Sequence, residues 1–286
     1  ARPPVTARPR KLSVTQIETW MRDPYAIYAR HILKLSALDS IDAAPNAAAY
    51  GIIVHDALAR FLSAYPSGPL PHDAVAQLIV MGEEAFSSVL GESVVGAFWL
   101  PRFERIAHWF VAKEIADRSV VSEAGEALSE QTGEMILDAP GGVFKLTARA
   151  DRINRHADGT LEIIDYKTGP LPSKKEVKAG FAPQLPLEAA IACAGGFAGV
   201  GVAPVSQLSY WQLSGGEPAG KVQSAGKDGA TLAAEARAGL EQLIARFDHP
   251  DTVYASRPRS DEAPSYSDYE HLARVKEWAA GEEDPE

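Results

Sequence analysis

Apolar residues recur at helical spacing through the first 118 positions and give way to strand-like patterning beyond them. Ile17, Trp20 and Met21 make one face of a short helix beginning near Gln16, capped by Ser13 or Thr15, with Thr15-x-x-Glu18 as a loose capping box. Asp23-Pro24 breaks it, and a second helix runs through Tyr25, Tyr28, Ile32 and Leu35. Ile52, Leu58, Phe61 and Leu62 mark a helix over 48–64, and further helices are predicted over 72–91 and 100–117. Near Ser119 the pattern changes. Residues 119–140 and 141–153 read as two strands joined by Ala139-Pro140-Gly141-Gly142, and 160–167 as a third. A helix follows over 184–193, with Pro186 tolerated in its first turn. A strand over 205–213, an amphipathic helix over 230–247 and a short helix around Tyr269 to Ala279 complete the chain.

This order predicts an α/β fold, a mixed β-sheet core flanked by helices with an N-terminal helical addition. The expected divisions are a Pro- and Arg-rich linker over 1–11, a helical part over 12–118, the core over 119–250 and a closing segment over 251–286. No apolar run approaches the roughly 20 residues that cross a bilayer, so no membrane partner is expected. The first residues lack the apolar region of a signal peptide, and a start without Met suggests a piece of a longer protein. Cys193 is the one cysteine, which excludes an internal disulfide and any four-cysteine site and fits a reducing, cytoplasmic setting. The formal charge of -10 does not suggest a general nucleic-acid binder. The charge is uneven, however: residues 2–34 carry seven Arg or Lys against only Glu18 and Asp23, so a local basic groove for phosphate stays open.

The candidate chemistry centres on residues 146–169, LTARADRINRHADGTLEIIDYKTG. Asp158-Gly159 is a strong hairpin signal. Asp151 and Asp165 lie seven residues either side of Asp158, so symmetric pairing sets them opposite each other on adjacent strands. Lys167 projects from the same face as Asp165. A D-x-K tripeptide alone is common on exposed hairpins, but Ile163-Ile164 before Asp165 reads as a buried strand. Two acids and a lysine on one buried patch are costly unless a cation sits between the acids. Open carboxylate ligation suits Mg2+ or Mn2+, which can orient and acidify a water beside a phosphate. Arg149 and Arg152 flank Asp151, where they either meet phosphate or offset the acids.

RAD-x13-DYKTG resembles the PD-(D/E)XK nuclease superfamily, in particular its RecB-like branch, which includes the AddB-type subunits of helicase–nuclease complexes. Gly51-Ile-Ile-Val-His55 is similar to the branch's upstream G-x-x-x-H. Gln184-Leu185-Pro186-Leu187-Glu188 matches its Q-L-x-x-Y motif except at the last position, where Glu188 replaces the tyrosine. The resemblance implies a restriction-endonuclease-like core. It also implies that His55, Asp151, Asp165 and the main-chain carbonyl of Tyr166 bind the metal, that Lys167 assists catalysis, and that Gln184 touches the scissile region or the DNA backbone. Residues 12–33 resemble the AddB segment whose cysteine, with three near the C-terminus, holds an iron–sulfur cluster. Asp23 stands in that cysteine's place, so no cluster is expected and packing through Trp20, Tyr25, Tyr269 and Trp278 is expected to close the termini.

The function implied is a metal-dependent exonuclease of the RecB family, acting on single- and double-stranded DNA ends beside an AddA-like helicase subunit in DNA repair and recombination. Two alternatives stay open: a nuclease-like domain that only binds DNA or a partner, and a metal-dependent hydrolase of another phosphate ester. Gly215 to Val222 approximates a phosphate-binding loop, but Val222 replaces its final Ser/Thr and Pro218 interrupts it, so a hairpin or surface loop is expected.

Overall fold

A six-stranded mixed sheet separates two hydrophobic cores in the structure, a computed structural model describing residues 1–36, 46–87, 93–120, 125–226, 228–258 and 267–274. The elements in chain order are β1 (Lys11–Ser13), α1 (Val14–Arg22), α2 (Pro24–Ile27), α3 (Ala47–Ala64), α4 (Ala74–Phe86) and α5 (Ser93–Val120). Then come β2 (Glu126–Leu137), β3 (Phe144–Arg155), β4 (Leu161–Lys167), α6 (Lys174–Lys178), α7 (Gln184–Cys193), β5 (Val205–Gln212), β6 (Lys221–Ser224) and α8 (Gly229–Asp248). One core gathers α1, α7 and α8 through Trp20, Leu185, Ile191, Ile244 and Phe247. The other gathers α3, α4 and α5 through Val54, Phe61, Leu78, Ile106 and Phe110. Strand alternation feeds both: Ile163 enters the first core, Ile164 and Tyr166 the second. Each such fully buried side chain contributes about 1.5–3 kcal/mol.

The register of the central strand creates the site. β2 lies antiparallel along the whole of β3 and so occupies one edge. The other edge is shared. β1 pairs in parallel with Lys145–Thr147, and β4 pairs antiparallel with Arg152–Arg155. Residues 148–151 of β3 therefore lie in a fork where β1 and β4 part. The β3–β4 hairpin turns where the sequence signals it, with Gly159 at φ 80° and the Asp158 carboxylate accepting from the Thr160 amide at 2.9 Å.

The local chemistry departs from the sequence reading in instructive ways. Of the two expected caps of α1 it is Ser13 that serves, and its capping-box partner is Gln16 rather than the Glu18 expected with Thr15. Ile52, expected on the buried face of α3, is 70% exposed, and Tyr50, Val54 and Ala57 are buried instead. Residues 119–120, expected to open a strand, end α5, and β2 begins at Glu126. The segment 215–220 does follow expectation: it joins β5 to β6 as a hairpin.

Residues 1–11, expected as a linker, are anchored, Lys11 by pairing with β3. Arg8 is 4% exposed and donates to the carbonyls of Pro3, Phe247, His249, Pro250 and Thr252. A guanidinium suits the end of α8, where carbonyls lack helical partners and the helix dipole is negative. The termini close by packing and by a carboxylate. Trp20 packs on Phe247 at 4.7 Å, and Tyr28 lies 6.2 Å from Tyr254. Tyr269 packs with Ala26 and Ala29, and its hydroxyl donates to the Leu35 carbonyl at 2.8 Å. Asp23, 2% exposed, accepts from the Ser267 hydroxyl at 3.1 Å and from the Arg257 amide at 3.4 Å. Trp278 and residues 275–279 of the expected terminal helix lie outside the described residues.

Arg8→Ala should cost about 2–4 kcal/mol, because it removes a buried cation and orphans several carbonyls at once. Urea denaturation followed by circular dichroism measures it. A loss below about 0.5 kcal/mol would contradict the anchoring role.

Candidate active site

The fork admits side chains from both faces of the sheet. The β3–β4 ladder stops at Arg152–Ile164, one pair short of the acids. The register would set Asp151 opposite Asp165, as symmetry about Asp158 predicts, but the strands part there. The Asp151 carboxylate enters the gap and accepts the Tyr166 main-chain N–H on Oδ2 at 2.8 Å. Its Oδ1 lies 3.2 Å from His55 Nδ1. A carboxylate can only accept, so Nδ1 carries the proton. Burial alone would push His55 down, but the hydrogen bond and charge of Asp151 outweigh it and hold the imidazole above its ordinary pKa. α3 delivers His55 from the second core, where its ring meets Tyr166 edge-on at 5.8 Å.

α7 delivers Gln184 from the other face. Gln184 sits in the helix's first turn, beside the C-terminal end of β4. Asp165, 1% exposed, accepts on Oδ1 from Lys167 Nζ at 2.9 Å and from Gln184 Nε2 at 2.8 Å. Lys167 Nζ also donates to Gln184 Oε1 at 3.2 Å. Burial pushes Asp165 up to about 6; Asp151 adds to that and Lys167 opposes it. Burial lowers Lys167, but Asp165 outweighs it and the ammonium stays above its ordinary value.

Glu130 belongs to the site, although nothing in the sequence singles it out. It lies across from Asp151 on β2, between the pairs Ser129–Arg152 and Gln131–Ala150. Its φ is 55°, a left-handed conformation that costs a non-glycine residue about 1–3 kcal/mol. Both strands change face at this point. In β3 the first core takes Phe144, Leu146, Ala148 and Ala150 before the site and Ile153 after it. One ligand atom each from His55, Glu130 and Asp151 lie within 4.8 Å of one another. Glu130 also pairs with the largely exposed Arg149. Its one sequence signal is a glutamate in a strand-like run, and nothing in that run marks a left-handed residue.

The expected residues thus fall into two joined groups. His55, Asp151 and Glu130 form a close donor set. Asp165, Lys167 and Gln184 form a second, linked to the first where Tyr166 follows Asp165 and donates to Asp151. Arg152 is turned away from the fork, buried against Glu114 of α5 and 3.5 Å from the Tyr166 hydroxyl, so it supports the strand rather than meeting phosphate. The donors fit a hard divalent cation: an imidazole, carboxylates and a buried Asp165 Oδ2 that has no protein partner.

A model of the PD-(D/E)XK nuclease superfamily matches residues 11–260, and the chain belongs to that superfamily. An uncharacterized protein of Rickettsia bellii is 31% identical over 189 residues, covering 66% of this chain and 22% of the relative. An uncharacterized protein of Rickettsia typhi is 31% identical over 209 residues, covering 72% of this chain and 24% of the relative. One subunit of an ATP-dependent helicase/deoxyribonuclease of Streptococcus mutans is 26% identical over 162 residues, covering 56% of this chain and 14% of that protein. The chain therefore spans about a quarter of the length of the Rickettsia relatives. No helix among the described residues is long and apolar enough to cross a membrane.

With the folded carboxyl near 6 and the ordinary value 3.8, folded Asp165 holds its proton more tightly than the unfolded chain does. Its ionisation costs stability, and the cost develops as pH rises from about 4 to about 6. In EDTA, the stability of Asp165→Asn relative to the native chain should therefore improve by about 1–3 kcal/mol between pH 4 and pH 7. Urea denaturation at the two pH values tests this, and a pH-independent difference would contradict the buried, ionising acid.

Proposed function

We propose that this chain is the metal-dependent deoxyribonuclease domain of an AddB-type subunit, cutting phosphodiester bonds of single strands handed to it by an AddA-like helicase during recombinational repair of double-strand breaks. The observation that carries the reading is the meeting of two groups at one fork, His55 with Asp151 and Asp165 with Lys167 and Gln184, joined by the Tyr166 amide on Asp151. The helicase partner and the repair setting rest on the AddB-like motifs and on the similarity to the streptococcal protein. A chain that had kept the fold only to bind DNA would have no need of a lysine held on a buried acid beside a second acid in the fork.

His55, Asp151 and Glu130, one ligand atom of each lying within 4.8 Å of the others, would hold Mg2+ or Mn2+, and we assign Asp165 and the Tyr166 carbonyl as its further oxygen donors. Bound there, such an ion supplies Lewis acidity that lowers the pKa of a water and offsets charge on the scissile phosphate. The chain does the rest. Asp151 holds the imidazole proton at Nδ1, which would leave the Nε2 lone pair free to ligate the ion. Lys167, charged beside Asp165, places an ammonium where negative charge grows on the phosphate or positions the attacking water. Gln184 fixes that ammonium against Asp165.

Asp151→Ala and Lys167→Ala should each lower Mg2+-dependent cleavage of a fluorescent single-stranded oligonucleotide by at least about 10³-fold. Circular dichroism should remain native in both, and EDTA should abolish cleavage by the native chain. Full Mg2+-dependent cleavage by either variant would sink the assignment.

A further inference from the structure

The Gln184 carboxamide joins three groups. Its oxygen accepts from Lys167 Nζ at 3.2 Å, and its nitrogen donates to Asp165 Oδ1 at 2.8 Å and to Glu188 Oε1 at 3.3 Å. A primary amide has two N–H groups, and these two carboxylates take one each. Glu188 lies one turn along α7, is 1% exposed, and stands where the resembling motif carries a tyrosine. An acid buried beside other acids is a poor choice for packing, since an apolar side chain of similar volume would fill the space without desolvating a carboxylate. Its second oxygen, Oε2, has no protein partner. The position is therefore unfavourable for stability and well placed for holding Gln184.

We propose that Glu188 is a positioning residue for phosphodiester hydrolysis: by accepting the second amide hydrogen of Gln184 it fixes the carboxamide, and through it the Lys167 ammonium against Asp165. The proposal rests on the nuclease reading for its catalytic consequence, while the Glu188–Gln184 bond stands on geometry alone. Without Glu188 the amide turns about a broad terminal torsion and leaves a buried N–H unpaired. Lys167 then keeps Asp165 but loses a fixed second acceptor. A glutamine at position 188 keeps an acceptor oxygen in the same place; a leucine or alanine does not.

The test compares the native chain with Glu188→Leu, Glu188→Ala and Glu188→Gln, the alanine serving if leucine does not fold. Two quantities are read: kcat and KM for Mg2+-dependent cleavage of a fluorescent single-stranded oligonucleotide, and hydrogen exchange of the Gln184 side-chain amide by nitrogen-15 NMR. Leu and Ala should lower kcat about 10–100-fold, leave KM within about threefold and speed amide exchange, and Gln should restore both within about threefold. Unchanged kcat and exchange in Leu and Ala would overturn the proposal, as would a Gln variant as impaired as Leu. A native chain that does not cleave DNA at all would overturn the nuclease reading, and the Gln184 exchange rates would still decide whether Glu188 positions the amide.

Discussion

A carboxylate removed from water must be compensated, and the architecture around the fork is organised by that requirement. Asp165 sits on a strand buried between two cores, and the Lys167 ammonium and the Gln184 amide both bind the same one of its oxygens. The other oxygen has no protein partner. Compensation is thus incomplete within the chain, which is the condition under which a divalent cation binds strongly and orients what it carries. The remaining parts follow from this one. α7 must start at Gln184 to bring the amide in, and β5 supports β4 by pairing in parallel with it as far as Lys167.

The fork supplies the second half. Had β4 continued to pair with β3, Asp151 and Asp165 would be cross-strand neighbours whose like charges repel. Parting the strands lets Asp151 turn into the gap, capture the Tyr166 amide and meet His55 from the opposite face. Glu130 marks the same break on β2, where a left-handed glutamate lets both strands change face together. Strain of this kind persists only where surrounding structure imposes it, and here long antiparallel pairing on both sides does so. Arg8 and Asp23 tie the start of the chain to Phe247, His249, Pro250, Thr252, Arg257 and Ser267, so among the described residues the two ends are joined by hydrogen bonds and aromatic packing.

Much of the fold is legible in the sequence because strong local signals agree with the tertiary outcome. Asp158-Gly159 sets the hairpin centre, and the residue pairing follows it. The helices over 184–193 and 230–247 begin and end close to their expected bounds. His55, Asp165 and Lys167 can be found because their motifs are short and lie on regular elements. What is hidden depends on contacts distant in sequence. The burial of Arg8 depends on carbonyls about 240 residues away. Tyr50 rather than Ile52 faces inward because α4 and α5 choose the buried side of α3. Glu130 cannot be read at all, since its role depends on a backbone conformation that glutamate rarely adopts.

Anomalous X-ray diffraction from a crystal soaked in Mn2+ tests the central claim most directly. The account predicts Mn2+ density in the fork, ligated by His55, Asp151 and the partnerless oxygen of Asp165. Density absent from the fork at millimolar Mn2+, or present only elsewhere on the surface, would contradict it.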